Sequence, residues 1–159
     1  MSNYDELIKQ LVNEEKELQF TEFTNETALE IGLRLIERAK EANKRIAIDI
    51  TRFGHQLFHY SFTGTTPEND QWIIRKNRVV NRFGKSSLHL GTILRRDNTT
   101  IEERHHISAS EYAAIGGSFP IIIKNTGVIG TITVSGLPKN EDHEMVVAVV
   151  KEQLELKAY

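Results

Sequence analysis

Residues 45–62 read RIAIDITRFGHQLFHYSF, and the spacing of apolar residues in this stretch decides the kind of fold the chain adopts. Ile46, Ile48 and Ile50 alternate with Ala47, Asp49 and Thr51, the period of two that places successive side chains on opposite faces of a strand. After Arg52-Phe53-Gly54-His55 a second β-rich run begins, in which Phe58, Tyr60 and Phe62 fall on one face and Leu57, His59 and Ser61 on the other. The reading is an antiparallel hairpin with strands Arg45–Thr51 and Gln56–Phe62.

Upstream of the hairpin the period is helical. Leu7, Leu11 and Leu18, with Ile8 and Val12, predict a first helix, and Asn3 with Glu6 has the spacing of a capping box. A second helix is expected from Thr24 to about Asn43, with a broad apolar stripe from Ala28 to Ala39. Downstream, Thr66-Pro67-Glu68 supplies an N-cap, a proline at the first helical position and an acid in the first turn. That helix is expected to run to Phe83 and stop at Gly84. Ser86 or Ser87 can cap a further helix through Leu94, whereas Asp97–Ser110 carries no clear period. Phe119–Lys124 and Val128–Ser135, joined by Asn125-Thr126-Gly127, predict a second hairpin, and a closing helix is expected from about Asn140 to Leu156. Hairpins and helices without strict βαβ alternation give an α+β class with a mainly antiparallel sheet under helical layers.

At 159 residues the chain fits one domain, taken here as 1–159 with residues 1–22 as an N-terminal helical extension. The absence of cysteine excludes disulfides, thiolate metal sites and a cysteine nucleophile. The charged N-terminal run reads neither as a signal peptide nor as a membrane span, and no segment approaches ~18 consecutive apolar residues. A soluble cytoplasmic protein is therefore expected. Charge is unevenly placed: Met1–Glu30 holds eight acids against Lys9 and Lys16, while Trp72–Arg96 holds seven bases and no acid. Such a division fits an anion footprint, and it fits equally two opposed faces meeting within the fold or between subunits.

The order of segments is also informative. A long helix, IAIDITRFG, a helix holding WIIRK, then FGKSS, GGSFPI, GVIGTITVSGLP and a DHE-initiated helix together resemble the GlcG/HbpS-like, haem-degrading-type family, in its uncharacterised-protein-family (UPF) branch. The similarity spans about Thr24 to Leu154. The resemblance implies a profilin-like or PAS-like three-layer α-β-α domain that assembles as a homo-oligomer, with haem as a family-derived cofactor candidate. Where better-known relatives carry Lys-Ala in the central helix, this chain has Lys76-Asn77.

Candidate ligand-binding residues are Trp72, Arg75, Lys76, Ser86, Gly116 and Gly117. Lys76 lies four residues after Trp72, on an inward stripe, and suits a carboxylate or phosphate; its stem could equally lie along apolar surface and its ammonium pair with an acid. Arg75, Arg78 and Arg82 suit bidentate anion contact or salt bridges. Gly116-Gly117 could offer backbone N–H groups to an anion, or mark a tight approach to the sheet, which is the reading adopted. Asp49 points away from Ile48 and Ile50, toward a helix layer or a base. None of the six histidines has metal-ligand spacing; His105-His106 is expected to be exposed, and His143 lies in the first turn of a helix. No Gly-x-Ser-x-Gly is present, no catalytic residue is assigned, and no metal site is expected. Nucleic-acid binding is disfavoured because Trp72 and Phe83 fall on the apolar side of their helix. The leading reading is a homo-oligomeric module holding a small anionic ligand, against the alternatives of an enzyme acting on haem or another small molecule and of an assembly module without ligand.

Overall fold

The structure, a computed structural model, describes residues 2–157; Met1, Ala158 and Tyr159 of the expected 1–159 domain lie outside the described residues. The elements run α1 (Asn3–Glu17), α2 (Asn25–Glu41), β1 (Ala47–Arg52), β2 (His55–Ser61), α3 (Pro67–Phe83), α4 (Ser87–Arg96), α5 (Ile101–His105), β3 (Ser118–Ile123), β4 (Gly127–Ser135) and α6 (Glu141–Lys157). The four strands form one antiparallel sheet in the order β2-β1-β4-β3. Helices α2 and α6 cover one face, and α3 with α4 covers the other. This is the expected α-β-α layering.

Local chemistry explains most boundaries. Thr66 caps α3, Pro67 occupies its first turn, and Gly84 ends it in the left-handed region at φ 69°, where a residue without Cβ carries no steric penalty. In the first hairpin Phe53 and Gly54 both have positive φ, 51° and 76°, the two-residue geometry whose twist matches the flanking strands.

Three expectations need correction. The α1 capping box is made by Ser2 and Asp5 rather than Asn3 and Glu6: the cap lies one residue earlier, because the helix already includes Asn3. Strict alternation in β2 fails because Ile50 pairs with Phe58 while Thr51 pairs with Gln56. Leu57 is thus an extra, bulged residue and packs with Phe58 and Phe62 against the main core, which leaves Gln56 on the side of His59. The unassigned stretch contains α5, whose Ile101 joins Val79, Leu90 and Leu94 in a second small apolar cluster; there His105 is half-buried and stacks edge-on against Phe83 with ring centroids 4.6 Å apart.

The main core lies between the sheet and the α2/α6 layer. Ile48, Ile50, Ile132 and Val134 from the sheet meet Ile31, Leu35, Val146 and Val150 from the helices, all fully buried. Each such side chain contributes roughly 1.5–3 kcal/mol of burial. The opposite face of the same strands carries Asp49, Thr51, Ser118, Thr131, Thr133 and Ser135, and α3 lies over it. The sheet therefore has one apolar face and one polar face, both covered. No described helix is long and apolar enough to cross a membrane.

Candidate functional site

Helix α3 rests on the polar face through side-chain hydrogen bonds rather than through apolar packing alone. Asn77 donates from Nδ2 to Asp49 Oδ2 at 3.1 Å, and its Oδ1 accepts from Ser118 Oγ at 3.2 Å and lies against Thr133 Oγ1. Ser118 in turn receives the Ser87 hydroxyl near its carbonyl and donates its N–H to Ser87 Oγ at 3.0 Å. Two turns earlier, Asn69 Nδ2 reaches Ser135 Oγ at 3.4 Å. Most buried polar groups are paired in this way.

Lys76 lies within this layer and is 2% exposed. Its Nζ donates to Val134 O and to Asp142 Oδ2, both at 3.1 Å, while Asp142 Oδ1 accepts the Leu137 N–H at 2.9 Å. Burial pulls the Lys76 ammonium below the usual lysine range, and the Asp142 charge offsets this only in part. Burial likewise pushes the Asp142 carboxyl up, against the opposing pull of Lys76 and of the Leu137 and Gly136 amides. In both groups desolvation outweighs attraction, the usual state of a buried ion pair.

The pair forms the floor of a groove with two depressions. The smaller, about 220 Å³, is bounded by Asn69, Trp72, Ile115 and Leu137 beside Lys76 and Asp142. The larger, about 460 Å³, shares Ile115, Leu137 and Asp142 and continues to Gly116, Lys139 and Arg95, with Tyr4 and Leu7 of α1 as its far wall. The groove thus combines apolar walls, a buried ammonium at its base and two cations at its rim. An ammonium has three donor hydrogens, and Lys76 has two acceptors among the described residues. The third hydrogen has no acceptor among the described residues.

The sequence-derived residues divide into two groups. Trp72, Lys76 and Gly116 line the groove. Arg75 stacks on the Trp72 ring with its guanidinium carbon 3.9 Å from the centroid, so it supports the rim, and its buried Nε has no partner among the described residues. Gly117, at φ 141°, has its missing Cβ position 2.5 Å from Lys76 Nζ and 2.6 Å from Val134 O; it is the close approach to the sheet that the sequence reading adopted. Ser86 is fully buried as the N-cap of α4, its Oγ accepting from His89 N–H at 3.1 Å, and does not line the groove. Arg78 donates to Glu111 O, and Arg82 lies over Phe83 and Tyr112. Trp72 is half-buried at the groove, not on a core-facing side as expected, because the stripe that α3 turns inward passes through Ile73, Lys76, Val79 and Val80.

Sequence reasoning missed Asp142 as the partner of Lys76, and Tyr4, Leu7, Ile115 and Leu137 as walls. Of the two readings of the uneven charge, the acidic N-terminus does meet the basic segment inside the fold, through partners the sequence did not name. Glu15 lies 2.9 Å from His89 Nδ1 and accepts the Ser86 N–H, and Asp5 lies 3.5 Å from Arg96. His143 Nε2 lies 2.7 Å from Glu14. These contacts fix α1 across α4 and the start of α6, which is how Tyr4 and Leu7 come to border the groove.

Comparison with known proteins agrees with this architecture. The family model described as "Haem degrading protein HbpS-like" matches residues 23–151. A UPF0303 protein of Streptomyces coelicolor is 45% identical over 144 residues, covering 91% of each chain. Among solved structures, that of Ybr137w protein superposes with TM-score 0.88 at 31% identity, covering 96% of this chain and 90% of the other. That of a PduOC:heme complex superposes with TM-score 0.66 at 11% identity, covering 81% and 93%, a likeness of fold. With most of its length inside that model, and with relatives of this identity, the chain belongs to the HbpS-like family, in its UPF0303 branch.

Proposed function

We propose that the chain is a homo-oligomeric small-ligand-binding protein of the cytoplasm, and that its ligand presents an anionic or carbonyl oxygen to Lys76 and a flat apolar body to Trp72, Ile115 and Leu137. The carrying observation is the buried Lys76 ammonium at the groove floor, with one donor hydrogen not taken up by any described residue. Arg95 and Lys139 at the rim would attract the same class of ligand. Support for self-association comes from Leu29 and Leu33, one turn apart on α2 and 47% and 53% exposed, beside the edge strand β2 with its exposed Tyr60. The lack of cysteine fits a reducing compartment.

Haem, named in the family description and in one neighbour's complex, fits these residues poorly. Haem iron takes His, Cys, Met or Tyr as a protein ligand, and of these only Tyr4 lines the groove among the described residues. The buried His89 and His143 are engaged by Glu15 and Glu14.

Calorimetric titration of the purified chain with haemin, inorganic phosphate and succinate tests the reading. A charge-assisted hydrogen bond contributes about 1.5–3 kcal/mol, so Lys76→Met should weaken the bound probe roughly 10- to 100-fold, and Trp72→Ala, at the groove wall, should weaken it without touching the ion pair. Absence of saturable binding to all three, or affinity unchanged in both variants, would refute the assignment.

A further inference from the structure

A separate depression, of about 410 Å³, opens on the opposite flank of α3, between that helix and the edge strand β2. Its polar lining is Asp49, Thr51, Gln56, His59, Asp70 and Asn77, and Ile73 and Ile74 form an apolar wall. The lining contains two carboxylates and neither lysine nor arginine. We propose that this cleft is a binding site for a small organic cation, an alkyl ammonium or guanidinium, whose charged head meets Asp49 and Asp70 and whose stem lies on Ile73 and Ile74.

The geometry supplies several separate reasons. Asp49 is 3% exposed, yet no cation lies within ion-pair distance of it among the described residues. Its neighbours are neutral donors: Gln56 Nε2 at 2.7 Å, Thr51 Oγ1 at 2.8 Å and Asn77 Nδ2 at 3.1 Å. A carboxylate offers about four acceptor positions, so one stays open, and a buried carboxylate without a counter-charge is a costly arrangement that a cationic ligand relieves.

What the protein leaves unfilled around Asp49 is mainly acceptor. Because the Gln56 amide nitrogen is turned to Asp49, its Oε1 remains available. Thr51 donates its hydroxyl hydrogen to the same carboxylate, so only its lone pairs are left. Asp70 Oδ1 lies 3.0 Å from His59 Nε2, and Oδ2 has no partner among the described residues. The ligand must therefore bring donors, as ammonium and guanidinium groups do. The bulge at Leu57 brings Gln56 to the same side as His59, so the local departure from strand geometry is what completes the lining.

Exposure falls from rim to base. The His59 and Asp70 side chains at the mouth are 32% and 43% exposed, Ile74 is 41% exposed, and Ile73 and Asp49 are each 3% exposed. An entering cation thus meets Asp70 first and Asp49 last, with its hydrocarbon part against isoleucine. The probes for this cleft carry the opposite charge from those for the Lys76 groove, so failure of either assignment leaves the other standing.

The test is titration of the whole chain with n-butylammonium and n-propylguanidinium chlorides, with n-butanol as the neutral counterpart, followed by heteronuclear NMR. Saturable shifts of the Gln56 and Asn77 side-chain amides with a cation, at least tenfold weaker or no binding of butanol, and at least tenfold weakening in Asp70→Asn are expected. Asp49→Asn should abolish binding; since it lies in a buried network and its folding is at risk, Asp70→Asn, at a part-exposed position, is the deciding variant. Binding of butanol as tight as that of the cations, no saturable binding of either cation, or unchanged affinity in Asp70→Asn overturns the proposal.

Discussion

Replacing Lys76 by Met is the most direct probe of the buried pair beneath α3. Lys76 and Asp142 are 2% and 4% exposed, so the substitution leaves a carboxylate enclosed with the Leu137 N–H but no cation. Removing one partner of a buried pair costs about 3–5 kcal/mol. At this chain length each kcal/mol displaces Tm by about 2–4 °C, so a fall of roughly 6–20 °C is expected at neutral pH. Burial already holds the Asp142 carboxyl above its ordinary value of 3.8, and loss of the lysine charge, one of the influences lowering it, raises it further. A carboxyl raised in the folded state penalises folding only where it is ionised. The deficit should therefore be small below the ordinary carboxyl pKa and grow as pH rises toward the folded value. The double variant Lys76→Met/Asp142→Leu removes both charges and should return to within about 1–2 kcal/mol of the parent, the remainder reflecting the lost hydrogen bonds to Asp142. Urea denaturation of the four proteins near pH 7.5 and near pH 4 gives the coupling directly. A loss in Lys76→Met below about 1 kcal/mol, or a double variant whose loss equals the sum of the two single losses, would refute the account of an enclosed and mutually dependent pair.

Two further outcomes follow from contacts elsewhere. Burial alone would raise the Glu14 carboxyl, but hydrogen bonds with His143 and Gln10 outweigh it and hold it below the ordinary value of 4.5; a lowered carboxyl stabilises above its unfolded pKa and loses that contribution as pH falls through its folded one, so Glu14→Gln should flatten the acid limb of the stability profile, measured by urea midpoint from pH 7 to pH 3. Gly91→Ala in α4 would set a Cβ 2.0 Å from the Ala114 carbonyl oxygen; despite the roughly 1 kcal/mol that alanine adds in a helix, overpacking against backbone should leave a net loss of about 1–2 kcal/mol in thermal unfolding.

The elements that could be read from sequence are those specified by neighbouring residues. Thr66-Pro67 and Gly84 bound α3 because caps act within one turn, and Phe53-Gly54 closes the first hairpin through two backbone angles. The groove was legible only in part. Trp72, Lys76 and Gly116 line it, but the acid that holds Lys76 lies 66 residues away on α6, and Glu14 meets His143 across 129 residues. No local pattern encodes such distances. The bulge at Leu57 was hidden for another reason: an apolar residue continues the β-rich run whichever face it takes, so the register shift leaves no mark in composition. A signal was present in Thr131, Thr133 and Ser135 alternating with Ile132 and Val134, which marks one face of β4 as polar. Taken with Asp49 and Thr51 on β1, it identifies a polar sheet face, and the structure covers that face with a helix.

The two sheet faces are held by different kinds of contact. Under α2 and α6, apolar contacts are non-directional and tolerate exchange of similar volumes. Under α3, the helix is located by Asn69, Lys76 and Asn77 meeting Ser135, Val134 O, Asp142, Asp49, Ser118 and Thr133. Hydrogen bonds have narrow distance and angle limits, so this layer sets the position of α3 more closely than greasy packing would. Both depressions border α3, with Lys76 in the wall of one and Asn77 in the wall of the other, adjacent in sequence but turned to different flanks. The Lys76-Asn77 dipeptide, where the resemblance implies Lys-Ala in better-known relatives, is the point at which this chain joins the two: alanine could not bond Asp49, Ser118 or Thr133, and the Asp49 carboxylate would lose one of its three donors.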